Sequence, residues 1–286
     1  MPGTGSRKPM LMNKPFKLGT TSFIFPDHIL PNVKKLGLFF DEIELLVFES
    51  LSADVLPSKE EVKKLAFLSR ELDVTYNIHL PTDVSLSCDS PAKRQQAKDT
   101  LLRVMDLFLS LTPGTCTLHL EMPPDIKQDI GHQNKVKNWE ETTLKSVGSF
   151  VSCLPDPGVI SIETLDYPFA CIEALVKELE LSVCIDAGHQ IKYGHNLLDT
   201  FEKYKAKTPL IHLHGVSFSD HQIIDHTSLD MLPEKYFQQI LTVLKNYSGV
   251  VSLEVFNLEN LNNSLRVLSR IFRIKNKLTT KGCCLE

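Results

Sequence analysis

The chain has no CxxC pair: its seven cysteines are scattered at positions 88, 116, 153, 171, 184, 283 and 284. At 286 residues it is also too long to need a disulfide framework, and a reducing cytoplasm is the expected compartment. No stretch approaches the roughly 18 consecutive apolar residues of a membrane span, so no membrane partner is expected. The first 15 residues lack the apolar region of a signal peptide and read as a disordered tail. An excess of basic charge is missing as well. With 31 Lys and Arg against 35 Asp and Glu, the formal charge of −4 leaves no electrostatic footprint for nucleic acid. The terminal CCLE has the outline of a prenylation box but ends in Glu, an unusual last residue there, and lipidation is not expected. No shift in composition marks a second domain.

What is present is a regular alternation. Strand-like segments at 16–23, 42–49, 74–80, 115–121, 159–164, 181–186, 209–215 and 249–256 alternate with helix-like ones near 27–37, 59–72, 91–111, 136–152, 168–180, 197–206, 233–246 and 259–275. Ser58 followed by Glu61 forms a capping box, and Pro91, Pro168 and Pro233 stand where helices begin. Eight strands alternating with eight helices predict an α/β fold, a single (β/α)8 TIM barrel over 16–277, with a short tail at 278–286.

Buried parallel strands usually read as unbroken aliphatic runs. Here one parity is aliphatic and the other polar. Ile160 and Ile162 alternate with Ser161 and Glu163, Val183 and Ile185 with Cys184 and Asp186, and Ile211 and Leu213 with His212 and His214. Leu118 and Leu120 alternate with Thr117, His119 and Glu121, and Val251 and Leu253 with Ser252 and Glu254. If the aliphatic set packs under the helices, the polar set points into the barrel and converges at its carboxyl-terminal mouth.

The centre of that ring is LSVCIDAGHQIKYG, residues 181–194, in which Asp186 ends a strand and His189 follows one tight turn later. The candidate metal ligands are His79, His119, Glu163, Asp186, His189, His212, His226 and Glu254. His214, His221, Asp220, Asp225, Glu49 and Glu121 stand in reserve, Glu49 and His214 as substrate contacts. Glu163, His189 and Glu254 are the candidate catalytic residues. Imidazoles and carboxylates together suit divalent ions such as zinc, manganese or iron. Packed carboxylates without cations would repel one another, and divalent metals remove that conflict. Two or three metals, zinc or manganese, are expected per chain.

Blander readings apply to several residues. His28, His132 and His195 read as surface or helix-end groups, and His79 alone could be a hydrogen-bonded core histidine. Glu42 and Glu44 share parity with each other but not with Glu49, so one of those sets is structural. A carboxylate that ends an aliphatic strand, such as Glu163 or Glu254, is costly unless paired or metal-bound.

Glu163, the DAGH of 186–189, the IHLHG of 211–215 and the LEV that carries Glu254 resemble the xylose isomerase-like TIM barrels, in particular the AP endonuclease 2 (endonuclease IV-like) superfamily, over residues 16–275. In the nuclease branch the resemblance implies three metals. His79, His119 and Glu163 would hold one; Glu163, Asp186, His212 and Glu254 a second; His189 and His226 would help to hold a third. The nuclease pattern has an aspartate two residues before His226, where this chain has Ile224; Asp225 or Asp220 could substitute. The runs FKLGTTSFIFPDHILPNVKKLG and DEIELLVFES further resemble the cobamide-remodelling phosphodiesterases of the CbiR family. That resemblance implies a small-molecule corrinoid substrate, hydrolysed at its nucleotide-loop phosphodiester to α-ribazole and a cobinamide phosphate. A sugar isomerase or epimerase would need only one metal, on Glu163, Asp186, His212 and Glu254. A DNA-repair endonuclease would need a more basic surface. The loops at 82–95, 122–135 and 216–232 are the expected substrate contacts.

Overall fold

The computed structural model describes residues 13–49, 56–219 and 222–272. Asp220 and His221, Cys283 and Cys284, the 278–286 tail and most of the 1–15 tail lie outside the described residues.

The chain runs β1 (Lys17–Thr21), α1 (Ile29–Leu36), β2 (Glu42–Leu46), α2 (Lys59–Leu72), β3 (Thr75–His79), α3 (Pro91–Phe108), β4 (Cys116–Leu118), α4 (Pro124–Gln128), α5 (Gln133–Val151) and β5 (Ile160–Glu163). It continues with α6 (Glu173–Glu178), β6 (Ser182–Asp186), α7 (Ala187–Lys192), α8 (Leu197–Tyr204), β7 (Leu210–Leu213), β8 (Gly215–Phe218), β9 (Ile223–Thr227), α9 (Glu234–Lys245), β10 (Val250–Leu253) and α10 (Leu258–Ile271). Eight strands close a parallel barrel in the order β1-β10-β7-β6-β5-β4-β3-β2. Each lies inside one of the eight windows read from the sequence.

Local chemistry sets the helix starts. The Ser58–Glu61 capping box opens α2, with the Ser58 side chain accepting from the Glu61 N–H and the Glu61 carboxylate accepting from the Ser58 N–H. Ser90 caps α3 ahead of Pro91, and Asn196 and Asn257 cap α8 and α10. The segment expected to be helical from residue 168 starts α6 only at Glu173, after a 3₁₀ turn over Phe169–Cys171. Two expected loops carry structure of their own. Residues 122–135 contain α4 and the start of α5, and residues 216–232 contain the antiparallel hairpin β8–β9.

The strand alternation partitions the interior into two layers. Ile160, Ile162, Val183, Ile185, Ile211, Leu213, Val251 and Leu253 are fully buried and join Leu65, Leu101, Val147, Phe201 and Leu261 of the surrounding helices in one hydrophobic core. The other parity fills the bore with polar groups, equally inaccessible: Glu42, Glu44, Thr117, Ser161, Cys184, His212 and Ser252. Bulky aliphatic residues usually pack a barrel of this kind. Here the bore is laced by hydrogen bonds instead. The Asn77 N–H donates to Glu42 Oε1 (3.0 Å), and the Thr115 N–H donates to Asn77 Oδ1 (3.1 Å). Gly19 gives Glu42 its room, since a Cβ there would overlap the carboxylate. Burial, together with the neighbouring charge of Glu44, pushes the Glu42 carboxyl well above its ordinary range.

Among the described residues no helix is long and apolar enough to cross a membrane. Cys88, Cys116, Cys153, Cys171 and Cys184 are all free.

A candidate metal centre at the barrel mouth

All eight candidate ligands arrive at the carboxyl-terminal end of the barrel. His79 ends β3, Glu163 ends β5, Asp186 ends β6 and His212 lies in β7 opposite Asp186 in register. His119 and Glu254 stand just past β4 and β10, His189 in α7 and His226 in β9. The tight turn expected after Asp186 is the first turn of α7, where Asp186 Oδ1 accepts from the His189 N–H at 2.7 Å. Gly188 of the DAGH motif is required by the residue that follows β7: a Cβ at that position would overlap the His214 ring.

Among the described residues the ligand atoms fall into five groups, three of which together hold all eight candidates. His79, His119 and Glu163 make the first; Glu163, Asp186, His212 and Glu254 the second; His189, His214 and His226 the third. Glu163 belongs to two of these three. His119 Nε2 donates to Glu163 Oε2 at 2.8 Å, His79 Nε2 lies 3.4 Å from the same oxygen, and His212 Nδ1 lies 3.5 Å from it and 3.4 Å from Glu254 Oε2. His189 Nδ1 is 3.3 Å from both Glu163 Oε1 and Asp186 Oδ2, and His214 Nε2 is 3.1 Å from Asp186 Oδ1. Ligands about 2.1 Å from a tetrahedral cation stand about 3.4 Å from one another, so these separations match a metal cradle.

The hydrogen bonds choose which nitrogen of each ring faces inward. His79 Nδ1 donates to Leu80 O at 3.1 Å, leaving Nε2 toward Glu163. His212 Nε2 donates to Glu44 Oε1 at 2.9 Å, leaving Nδ1 toward the acids. His226 Nδ1 donates to Glu254 O at 3.1 Å, leaving Nε2. A ligand histidine whose second nitrogen is held by a carboxylate or carbonyl is the usual outer support of a metal site. His226 adopts the left-handed region (φ 50°), and two bonds hold it there: its N–H donates to His214 Nδ1 (3.0 Å), and Asn260 Nδ2 donates to its carbonyl (3.1 Å).

The fit to a cation rests on orphaned atoms. Glu163 Oε1, Asp186 Oδ2, His189 Nδ1, His212 Nδ1, His214 Nε2 and Glu254 Oε2 are all buried without a hydrogen-bond partner. Each such atom costs about 1–3 kcal/mol unless something satisfies it, and six facing one another call for a shared electrophile. Burial would raise the Glu163 and Asp186 carboxyls. Imidazole charge outweighs it, from His119 and His212 on Glu163 and from His189 and His214 on Asp186, and both fall below the usual carboxylate range. Burial alone would lower His189, but Asp186 and Glu163 raise it to about 10. Glu254 goes the other way, its burial and the charges of Glu163 and Asp186 lifting it well above normal. Burial and His214 hold His226 down at about 4, neutral and able to ligate. Without cations, the cluster balances its charge with protons.

Other candidates stand apart. Glu49 and Glu121 are exposed and lie outside the three groups. His214, a reserve, joins the third. Ile224 is 44% exposed, and Asp225 beside it turns to α7, where Lys192 Nζ meets its Oδ2 at 2.5 Å; that oxygen is also 3.9 Å from His189 Nε2. The sequence reading left Glu44 unassigned. The alternation in EIELL signals its inward direction, but nothing local indicates that it would hold a ligand histidine. Lys192 carried no signal beyond its place three residues after His189 on the same helix.

The family model of the xylose isomerase-like TIM barrel matches residues 30–271, and the chain belongs to that family. No curated protein matches the chain. Among solved structures it is similar to a D-tagatose 3-epimerase-like protein (19% identity, TM-score 0.72, 89% of this chain and 96% of that one). It is also similar to the IolI protein with a bound zinc atom (13%, 0.67, 90% and 100%). A third is endonuclease IV from Thermus thermophilus (16%, 0.63, 89% and 98%). At these identities the likeness speaks to the fold.

Proposed function

We propose that the protein is a metal-dependent phosphodiesterase that hydrolyses the nucleotide-loop phosphodiester of a cobamide, releasing α-ribazole and a cobinamide phosphate. One observation carries the hydrolytic part of this reading: Glu163 is shared between a four-ligand group and a second group that contains His79 and His119. A mononuclear isomerase has no task for those two imidazoles, whereas a phosphoryl-transfer site has one. Divalent ions, if held by Glu163 with His79 and His119 and by Glu163 with Asp186, His212 and Glu254, would supply the Lewis acidity that such a reaction needs. Glu163 aligns the two groups, and Glu44 keeps His212 in the productive tautomer. Lys192, at the edge of the third group, offers a positive charge to the phosphate, and Asp225 holds it in place. The cobamide substrate itself rests on the resemblance of the β1–α1 and β2 segments to cobamide-remodelling enzymes. No nucleic acid partner is proposed, and the site of action is a reducing cytoplasm.

A second reading is supported by the four-ligand group on its own. Glu163, Asp186, His212 and Glu254 suffice for one metal, and the fold is shared with epimerase structures. The test is metal content together with product mass. The phosphodiesterase reading expects two or three ions per chain and a cobamide cleaved into two fragments whose masses sum to substrate plus water. One ion per chain with an intact cobamide would hand the site to a sugar isomerase or epimerase. Cleavage of an abasic-site duplex would point instead to a nuclease. Glu163→Ala is expected to leave less than about a tenth of wild-type turnover, since it removes a ligand common to two of the groups that would hold the ions.

A further inference from the structure

Three phenylalanines stand on the rim where the neighbouring strands β10, β1 and β2 open into the mouth. Phe23 follows β1, Phe48 follows β2 and Phe256 follows β10. Val47 and Val255, next to two of them, are fully buried, but Phe48 and Phe256 are only half-buried and Phe23 is 45% exposed. The rings pack edge to face, with centroids 5.1 Å apart for Phe23–Phe48, 5.8 Å for Phe48–Phe256 and 6.4 Å for Phe23–Phe256. The Phe256 ring also lies 4.8 Å from the ring of His226, a member of the third ligand group. The apolar wall is therefore continuous with the metal centre.

We propose that Phe23, Phe48 and Phe256 form the subsite for a planar heteroaromatic base of the substrate, stacked on the rim while the neighbouring phosphodiester lies over the ligand cluster. The identity of that base rests on the phosphodiesterase reading. A sugar hydroxyl finds no hydrogen-bonding atom on these three side chains, whereas a planar base can lay its whole π face on them, so the wall favours the base over a free ketose. Its size also selects. One well-exposed ring, backed by two half-buried ones, matches a single bicyclic base rather than a macrocycle, and aromatic side chains hold bases through their π faces without needing specific hydrogen bonds.

Calorimetric titration of the metal-loaded full chain with α-ribazole, with ribose as the control, tests this. α-Ribazole is expected to bind at least tenfold more tightly than ribose. Phe23→Ala and Phe256→Leu are expected to weaken it about tenfold, the scale of one lost base–aromatic stack, with metal content unchanged. Equal binding of α-ribazole and ribose, or an unchanged affinity in Phe23→Ala, would overturn the proposal. So would cobinamide, titrated alongside, losing affinity in Phe23→Ala while α-ribazole does not, which would place the macrocycle on the wall. Cobamide hydrolysis assayed in parallel separates the two ideas. Ring-dependent α-ribazole binding without cleavage would sink the hydrolytic reading and keep the subsite. Cleavage with no dependence on Phe23 in either assay would do the reverse.

Discussion

At the scale of single residues, the assignment that matters most is Glu44. Its carboxylate accepts from His212 Nε2 deep in the bore, where no solvent can replace it. Burial would raise its pKa, but the charge and hydrogen bond of His212, with help from His79, bring it below normal, so it stays ionised and keeps the imidazole's other nitrogen turned to the cluster. Glu44→Gln keeps the shape but removes the charge, and metal affinity is expected to fall about 10- to 100-fold, read by competition with a chromophoric chelator. An unchanged affinity would reduce Glu44 to bore packing. Six of the ligands were legible because each stands at the polar parity of an aliphatic barrel strand; His189 was read from its place just after Asp186, and His226 from the family resemblance. Glu44 was not, because a carboxylate that binds metal and one that holds the binder look alike in a sequence. The difference is about one strand layer of depth, and only the register between strands supplies that.

At the scale of elements, the hairpin β8–β9 and the short helix α7 bring the third group together. The barrel strands could be read in advance because burial on both sides enforces alternation. The hairpin could not, since Ile223 and Ile224 are exposed and leave no alternating face. Its place is fixed by long-range bonds, from the His226 N–H to His214 and from Asn260 to the His226 carbonyl. α7 was hidden by its six-residue length, and DAGH read as a turn. Gly188 of α7 packs against the ring of His214, the residue that immediately precedes the hairpin. Gly188→Ala pushes a methyl into the His214 ring, and a destabilisation of about 1–3 kcal/mol is expected in chemical denaturation, the usual scale of overpacking. Cation binding at the third group should weaken alongside. Full stability with normal metal content would show that α7 and the hairpin can separate freely.

At the scale of the whole molecule, protons and cations compete for one cavity. Asp186 and Glu163 raise His189 to about 10, so it holds a proton at neutral pH, and His212 and Glu254 are shifted upward as well. Metal loading at pH 7 must therefore release protons, and the apparent binding enthalpy is expected to change with the ionisation enthalpy of the buffer. A buffer-independent enthalpy would contradict this. In the metal-free protein, the contribution of His189 is fully present below its unfolded pKa of about 6.5 and is lost as pH rises through about 10. Glu163 and Asp186, whose pKa values are depressed, contribute above their unfolded values of about 4 and lose that contribution as pH falls below them. Denaturation of the chelated protein as a function of pH should thus show a plateau between acid and alkaline declines. A steady rise in stability above pH 7 would be incompatible with an imidazolium at His189.

The double membership of Glu163 also shapes how the chain fills. If two ions share that carboxylate, as the proposed function holds, whatever the first does to it the second feels, and by thermodynamic reciprocity the influence runs equally in both directions. Loading curves for the first two positions should not reduce to a pair of independent dissociation constants. A cell short of metal would accordingly contain this protein in a mixture of states that no average occupancy describes.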